Sequence, residues 1–191
     1  MFDLTIPLVL GSKSPRRQAL LKESGFSFEL RLADVDEAFP ASLKGEAVPA
    51  FLAALKSDHI STSDKECLIT ADTVVCCDDI LMNKPADAAE AHEMLRMLSG
   101  RSHWVHTGVC LRLGAKKRVF TESTEVYFRH LQSDEIDHYI ARYQPFDKAG
   151  GYGIQEWIGY IGVERIEGCF YNVVGFPVSR FVLELRKFLA E

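Results

Sequence analysis

A few carboxylates and cations in this chain have the types and spacing to handle a phosphate-bearing ligand. Asp72 follows an apolar run, Cys67 to Ala71, that reads as a buried strand. A carboxylate delivered from a strand end can ligate a hard divalent cation or take a proton from water. Hard divalent ions on phosphates typically use one or two carboxylates plus substrate oxygens. The acidic turn Asp34-Val35-Asp36-Glu37 offers Glu37 as the second carboxylate. The competing reading makes Asp72 a turn cap and leaves Asp34, Asp36 and Glu37 solvated.

The complementary charge lies near the N-terminus, in Leu8-Val9-Leu10-Gly11-Ser12-Lys13-Ser14-Pro15-Arg16-Arg17. Ile6 to Leu10 reads as a buried strand, and Gly11 to Ser14 as a small polar turn. Ser14 suits a helix N-cap and Pro15 the first helical position, with Leu20 and Leu21 opening the buried stripe. The unpaired N–H groups of a helix start form an anion site. Arg16 and Arg17 stand in the first turn, against the helix dipole. A bound anion would offset that cost, and Arg grips phosphate bidentately. The plain alternative is a capped helix with two solvated arginines. Lys56, beside an apolar helical face, and Lys84, fixed by Pro85, could each place a point charge on a phosphate, although a lone Lys usually faces solvent. In Asp147-Lys148-Ala149-Gly150-Gly151-Tyr152-Gly153-Ile154-Gln155 the glycines allow close backbone approach or positive φ, and Tyr152 and Gln155 could read a base.

Other chemistries find little support. None of the six histidines has metal-ligand spacing, and His103 and His106 read as structural members of a strand. No G-x-S-x-G nucleophile elbow occurs. Cys67, Cys76, Cys77, Cys110 and Cys169 form no C-x-x-C pair and lie mostly in apolar runs, so they read as reduced, mostly buried thiols rather than a zinc site.

The elements that must position these groups follow from periodicity and turn signals. Gly25 is a C′ residue for the first helix, and Phe26 to Leu32 alternates as a half-buried strand does. Pro40 to Pro49 reads as a polar connector and Ala50 to Ile60 as a helix. Asp78-Asp79 reads as a hairpin turn after the Asp72 strand, with Leu81 to Pro85 returning. Asp87 and Glu90 resemble a capping box for a helix that ends at Ser99-Gly100. Residues 102–112 and 118–129 read as long strands joined at Gly114 to Lys117. Ser133 reads as the cap of another helix. Strands are expected around Ile158 to Ile166 and at Tyr171 to Val174, and Pro177 opens a C-terminal amphipathic helix. The expected class is α/β or α+β, with a mixed sheet flanked by helices.

The chain has 191 residues, 47% apolar and 26% charged, with net charge −5. That suits one large domain or two intimately joined lobes with a substantial core. The charge balance carries no footprint of a nucleic-acid polymer, which needs an excess of basic residues. The start of the chain lacks a basic n-region, and Asp3 interrupts its short apolar run, so a signal peptide is not expected. No apolar run approaches a membrane span.

Several of these segments together resemble one family. Ser12-Lys13-Ser14-Pro15-Arg16-Arg17 is similar to the S-x-S-P-R-R signature of the Maf family of nucleoside triphosphate pyrophosphatases. Ala71-Asp72-Thr73, Asn83-Lys84-Pro85, Leu98-Ser99-Gly100-Arg101-Ser102-His103, the Asp147–Gln155 stretch and Asn172-Val173-Val174-Gly175-Phe176-Pro177 resemble further Maf segments, in order along the chain. The D-K-A-G-x-Y-G-I-Q form resembles the branch acting on dTTP and UTP. Gly11, Lys13, Gly151 and Phe176 are mild departures, and Lys13 adds a cation beside the phosphate turn.

The resemblance implies one Maf-like domain over 1–191, two lobes around a cleft, and the architecture of inosine triphosphate pyrophosphatases. It implies a hydrolase of phosphoric anhydrides that releases pyrophosphate from dTTP or UTP, and a house-cleaning role in the nucleotide pool. In this reading Ser12, Ser14, Arg16, Arg17, Lys56 and Lys84 hold the triphosphate, and Glu37 and Asp72 bind Mg²⁺ or Mn²⁺. Asp72 is also the base, and Thr73 and Gln155 select the nucleobase. A cytoplasmic location and a homodimer are further expectations. Two other readings are a nucleotide-sensing protein of cell-division control with little turnover, and a phosphomonoesterase that releases orthophosphate.

Overall fold

The computed structural model describes residues 5–191, so the expectation resting on Asp3 lies outside the described residues. Strands and helices mix along the chain. They are β1 (Leu8–Gly11), α1 (Pro15–Glu23), β2 (Glu29–Leu30), α2 (Ala47–Asp58), β3 (Cys67–Cys77), β4 (Ile80–Met82) and α3 (Ala88–Leu98), followed by β5 (Ser102–Leu113), β6 (Lys116–Phe128), α4 (Ser133–Tyr143), α5 (Trp157–Gly162), β7 (Val163–Glu167), α6 (Phe170–Val174) and α7 (Val178–Ala190). One sheet runs in the order β2-β1-β3-β5-β6-β7, with β4 paired to β3. β1 pairs in parallel with both β2 and β3, whereas β3–β4 and β6–β7 are antiparallel. This is the mixed, helix-flanked sheet expected from the sequence.

The chain divides into two compact units, residues 1–72, 107–122 and 175–191 in the first and residues 73–106 and 123–174 in the second. Each has its own core. In the first, Leu8, Leu10, Leu21, Ile69, Leu111 and the phenylalanines Phe176, Phe181 and Phe188 pack together. In the second, Leu95, Leu98, Val126, Phe128, Tyr139 and Ile158 do so. β1 and β3 are buried along almost their whole length, as central strands covered on both faces are, whereas helices such as α3 and α7 bury one stripe.

Local signals set several boundaries. The Ser14 side chain accepts from the Arg17 N–H, and Pro15 opens α1. Gly25 adopts φ +86 just past the helix, the left-handed geometry that favours glycine there. Asp78 and Asp79 take φ 45 and 64, as a two-residue hairpin joining Cys77 to Ile80 requires.

Other expectations are corrected. The Phe26–Leu32 strand shrinks to Glu29–Leu30. α2 begins at Ala47, so Pro49 lies in its first turn, where a missing N–H costs nothing. The Asp87 box is half closed. Asp87 accepts from the Glu90 N–H, but the Glu90 carboxylate bonds Ala86 N at 2.7 Å. For α4 the cap is Gln132, in a box with Glu135, and Ser133 is the first helical residue. Trp157–Gly162 and Phe170–Val174 are helical, not strands. All five cysteines are free thiols and four are buried.

Candidate active site

The first unit holds seven of the residues expected to act, Ser12, Ser14, Arg16, Arg17, Glu37, Lys56 and Asp72. Gly11 ends β1 where a Cβ would sit 2.4 Å from Ile60 Cδ1 and 2.8 Å from Thr70 Cγ2. A side chain there would have to displace both, so glycine suits the position. The next residue, Ser12, is buried, and its hydroxyl accepts from Ser14 N at 3.2 Å and from Arg17 Nη1 at 2.9 Å. The turn is therefore closed by its own side chains before the helix begins.

Arg17 is buried and heavily engaged. Besides Ser12 it donates to Ala71 O and, through Nε, to Gly175 O, both at 3.1 Å. Burial lowers its pKa to about 10, partly offset by the Asp72 charge, so the guanidinium stays protonated at neutral pH. Its geometry is that of a strut. It ties the Ser12 turn to the last carbonyl before Asp72. Arg16, one position earlier, is half-buried at the helix start.

β3 delivers Asp72, which is 9% exposed. Its Oδ1 accepts from Lys56 Nζ at 2.6 Å, and the same ammonium lies 3.0 Å from Glu37 Oε1. Two carboxylates and one lysine thus converge on a point. The lysine is placed by α2, which is fixed on two sides. Thr70 Oγ1 donates to Ala53 O at 2.6 Å, and Pro49–Ala50 backbone lies against Gly108 so closely that a Cβ there would meet Pro49 O at 2.3 Å. Glu37 sits on a segment without regular structure that is tethered at its base. Arg31 N donates to Leu10 O at 3.2 Å, and the Arg31 guanidinium pairs with Glu66 and Glu29. Lys13, the extra cation beside the turn, pairs with Asp34 at 2.6 Å. That ammonium lowers the Asp34 pKa through a hydrogen bond and its charge.

No cluster of three or more His, Cys, Asp or Glu side chains suited to a metal ion occurs among the described residues. The Glu37–Asp72 pair nonetheless fits a hard divalent cation. Both donors are carboxylate oxygens, and they already converge on one positive charge, the Lys56 ammonium. Two carboxylates leave most of such an ion's shell to water and to a ligand's phosphate oxygens.

The other three expected residues belong to the second unit. Thr73 follows Asp72 on β3 and is half-buried, while Lys84 is exposed after β4. Gln155 is half-buried, and its Oε1 is buried with no hydrogen-bond partner. An unsatisfied buried acceptor costs about 1–3 kcal/mol, so a ligand N–H would relieve a standing penalty. Gly150 and Gly151 both adopt φ +70, the backbone freedom expected of that loop.

Three groups have partners that the sequence reading did not foresee, although His103 is the structural strand residue it expected. Lys148 is 7% exposed and paired to Asp147 at 2.7 Å and Glu156 at 3.2 Å. Buried His103 hydrogen-bonds Tyr152 at 2.6 Å. Asn172 donates to Val105 O and Thr124 Oγ1, both at 3.0 Å. The D-K and N-V-V motifs contained the first and last, but only their partners reveal the roles.

Comparison with known proteins bears directly on these motifs. A dTTP/UTP pyrophosphatase of Porphyromonas gingivalis is 50% identical over 186 residues, covering 95% of this chain and 94% of that one. The Bacteroides thetaiotaomicron protein of the same name is 46% identical over 183 residues, covering 94% and 95%. Among solved structures, a HAM1 protein from Coxiella burnetii matches at TM-score 0.44 and 14% identity, over 65% of this chain and 73% of that one, too slight a likeness to build on. The Maf-like protein model matches residues 7–188, the span that holds every motif described above, and the chain belongs to that family.

Proposed function

We propose that this chain hydrolyses nucleoside triphosphates to the monophosphate and pyrophosphate, with dTTP and UTP preferred. The observation that carries this reading is the convergence of Asp72 and Glu37 on Lys56 beside a self-closed anion turn. The relatives named dTTP/UTP pyrophosphatase support the substrate class.

In this mechanism the triphosphate lies on the Ser12–Ser14 turn and the start of α1, where backbone N–H groups and the dipole favour an anion. Arg16 grips phosphate oxygens. Arg17 contributes its fixed charge and holds the turn and the end of β3 in register. Lys56 and Lys84 add point charges. Asp72 orients the attacking water and takes its proton, a contribution of roughly 10²–10⁴-fold. Glu37 and Asp72 would hold a divalent cation, Mg²⁺ or Mn²⁺, which when bound neutralises phosphate charge and polarises the P–O bond. Gln155 meets the O4/N3–H edge of uracil or thymine, with Thr73 beside Asp72 helping to select the base.

The two units act as one Maf-like domain over 1–191, in the cytoplasm, as a homodimer, to remove unwanted nucleotides. No helix among the described residues is long and apolar enough to cross a membrane.

A nucleotide panel with pyrophosphate and orthophosphate read separately, with and without chelator, tests the proposal. Pyrophosphate is expected as the first product, UTP and dTTP should lead, and chelator should abolish turnover. Orthophosphate as the first product would favour a phosphomonoesterase. Binding without turnover would favour a nucleotide sensor.

A further inference from the structure

We infer that Tyr139, Glu156 and Lys148 form a buried relay that fixes where the Gln155 side chain points, and thereby sets the enzyme's preference among bases. This rests on reading Gln155 as the base-contacting residue.

The relay is continuous. Gly153 N donates to the Tyr139 hydroxyl at 3.0 Å, and that hydroxyl donates to Glu156 Oε2. The other carboxylate oxygen, Glu156 Oε1, lies 3.2 Å from Lys148 Nζ. Lys148 is also paired to Asp147, which anchors the first residue of the loop. Tyr139 is 0% exposed and Lys148 7%. A buried ammonium is a costly way to gain stability, because apolar side chains of similar volume usually do as well or better. What such a pair can supply is a single, specified geometry.

Gln155 stands on the element so specified. A Cβ added at Gly153 would lie 2.9 Å from Gln155 Nε2 and 2.9 Å from Glu156 Cδ. Both side chains therefore fold back over Gly153, whose N–H is the one held by Tyr139. The rest of the loop is pinned as well, through Gly150 N to Asn83 O at 3.1 Å and the Tyr152 hydroxyl to His103. Gln155 Oε1 stays buried and unpartnered. An amide read by its edges must not rotate, since turning it by half exchanges acceptor for donor. Tyr139 and Glu156 are positioning residues for that amide and touch no nucleotide.

The test is Tyr139→Phe, which keeps the ring and removes both hydroxyl bonds at once. We expect the UTP-to-ATP ratio of kcat/KM to fall roughly 5- to 30-fold, the size of one or two lost buried hydrogen bonds, while ATP turnover changes less than about threefold. Glu156→Gln keeps an acceptor for the hydroxyl and should retain more of the ratio. If Tyr139→Phe does not fold, Lys148→Met is read the same way. A ratio unchanged within about twofold, or an equal loss for UTP and ATP, would overturn the relay. Gln155→Ala is the parallel control. A uniform loss there overturns the base-reading role itself, whereas selective loss in Gln155→Ala beside none in Tyr139→Phe overturns the relay alone.

Discussion

Asp72 has two relationships that a substitution can separate. It is the proposed base and, in the structure, the closest counter-ion of Lys56, at 2.6 Å. Asp72→Asn keeps the size but neither binds a proton usefully nor balances the lysine. We expect kcat to fall at least about 10²-fold for every nucleotide, with a modest drop in melting temperature because Glu37 still faces the ammonium. Steady-state rates and thermal melts on one preparation check this. Near-normal kcat would remove Asp72 from the chemistry, and a collapsed melt with proportionate activity loss would make it a structural cap. Arg16→Ala should weaken all nucleotides about equally, since phosphate is common to them. The acidic and cationic residues were legible in the sequence because charge at the end of an apolar run is conspicuous. Lys148 was not, since its burial depends on Glu156 and Tyr139, eight and nine residues away in the chain.

At the scale of elements, α2 shows how packing sets chemistry. The helix carries Lys56, and its start rests on Gly108 of β5 with no room for a side chain. Gly108→Ala should force the helix start away from the strand. The expected cost is at least about 2 kcal/mol from overpacking against backbone, and turnover should fall further than stability alone accounts for. Urea denaturation and kcat at a temperature where both proteins are folded would show it. A variant of wild-type stability would mean that α2 shifts at little cost. The helices with strong caps and the long strands were readable from local signals. α5 and α6 were not. The run Trp157 to Gly162 is apolar, with glycine at every third position and no helix former to mark it, yet Gly159 packs so that a Cβ would lie 1.8 Å from Ile154 O. Only a tight helical turn brings the chain that close. In α6 the backbone coils so that Asn172 turns inward to Val105 and Thr124, a tertiary demand with no local signature.

Across the whole molecule, the clearest pH dependence belongs to His103. Burial lowers its pKa from 6.5 to about 4, so the folded protein resists a proton that the unfolded chain accepts. Its contribution to stability is complete above pH 6.5 and is lost as the pH falls toward 4. Between pH 7 and 5 that loss is about 2 kcal/mol. Urea midpoints at the two values, compared with His103→Gln, should show the wild type losing more on acidification. Equal losses would show that His103 does not carry the dependence. The division into two units has a different consequence. Three of its four borders, at 72/73, 106/107 and 122/123, fall inside β3, β5 and β6, and only the fourth, at 174/175, falls in a connection, the short one from α6 to α7. A protease nicks exposed, loosely held chain, and hydrogen-bonded strand is poor substrate. Limited digestion should therefore yield no stable half-molecule, and a gene cut at any of the three strand borders should express two fragments that stay unfolded until mixed.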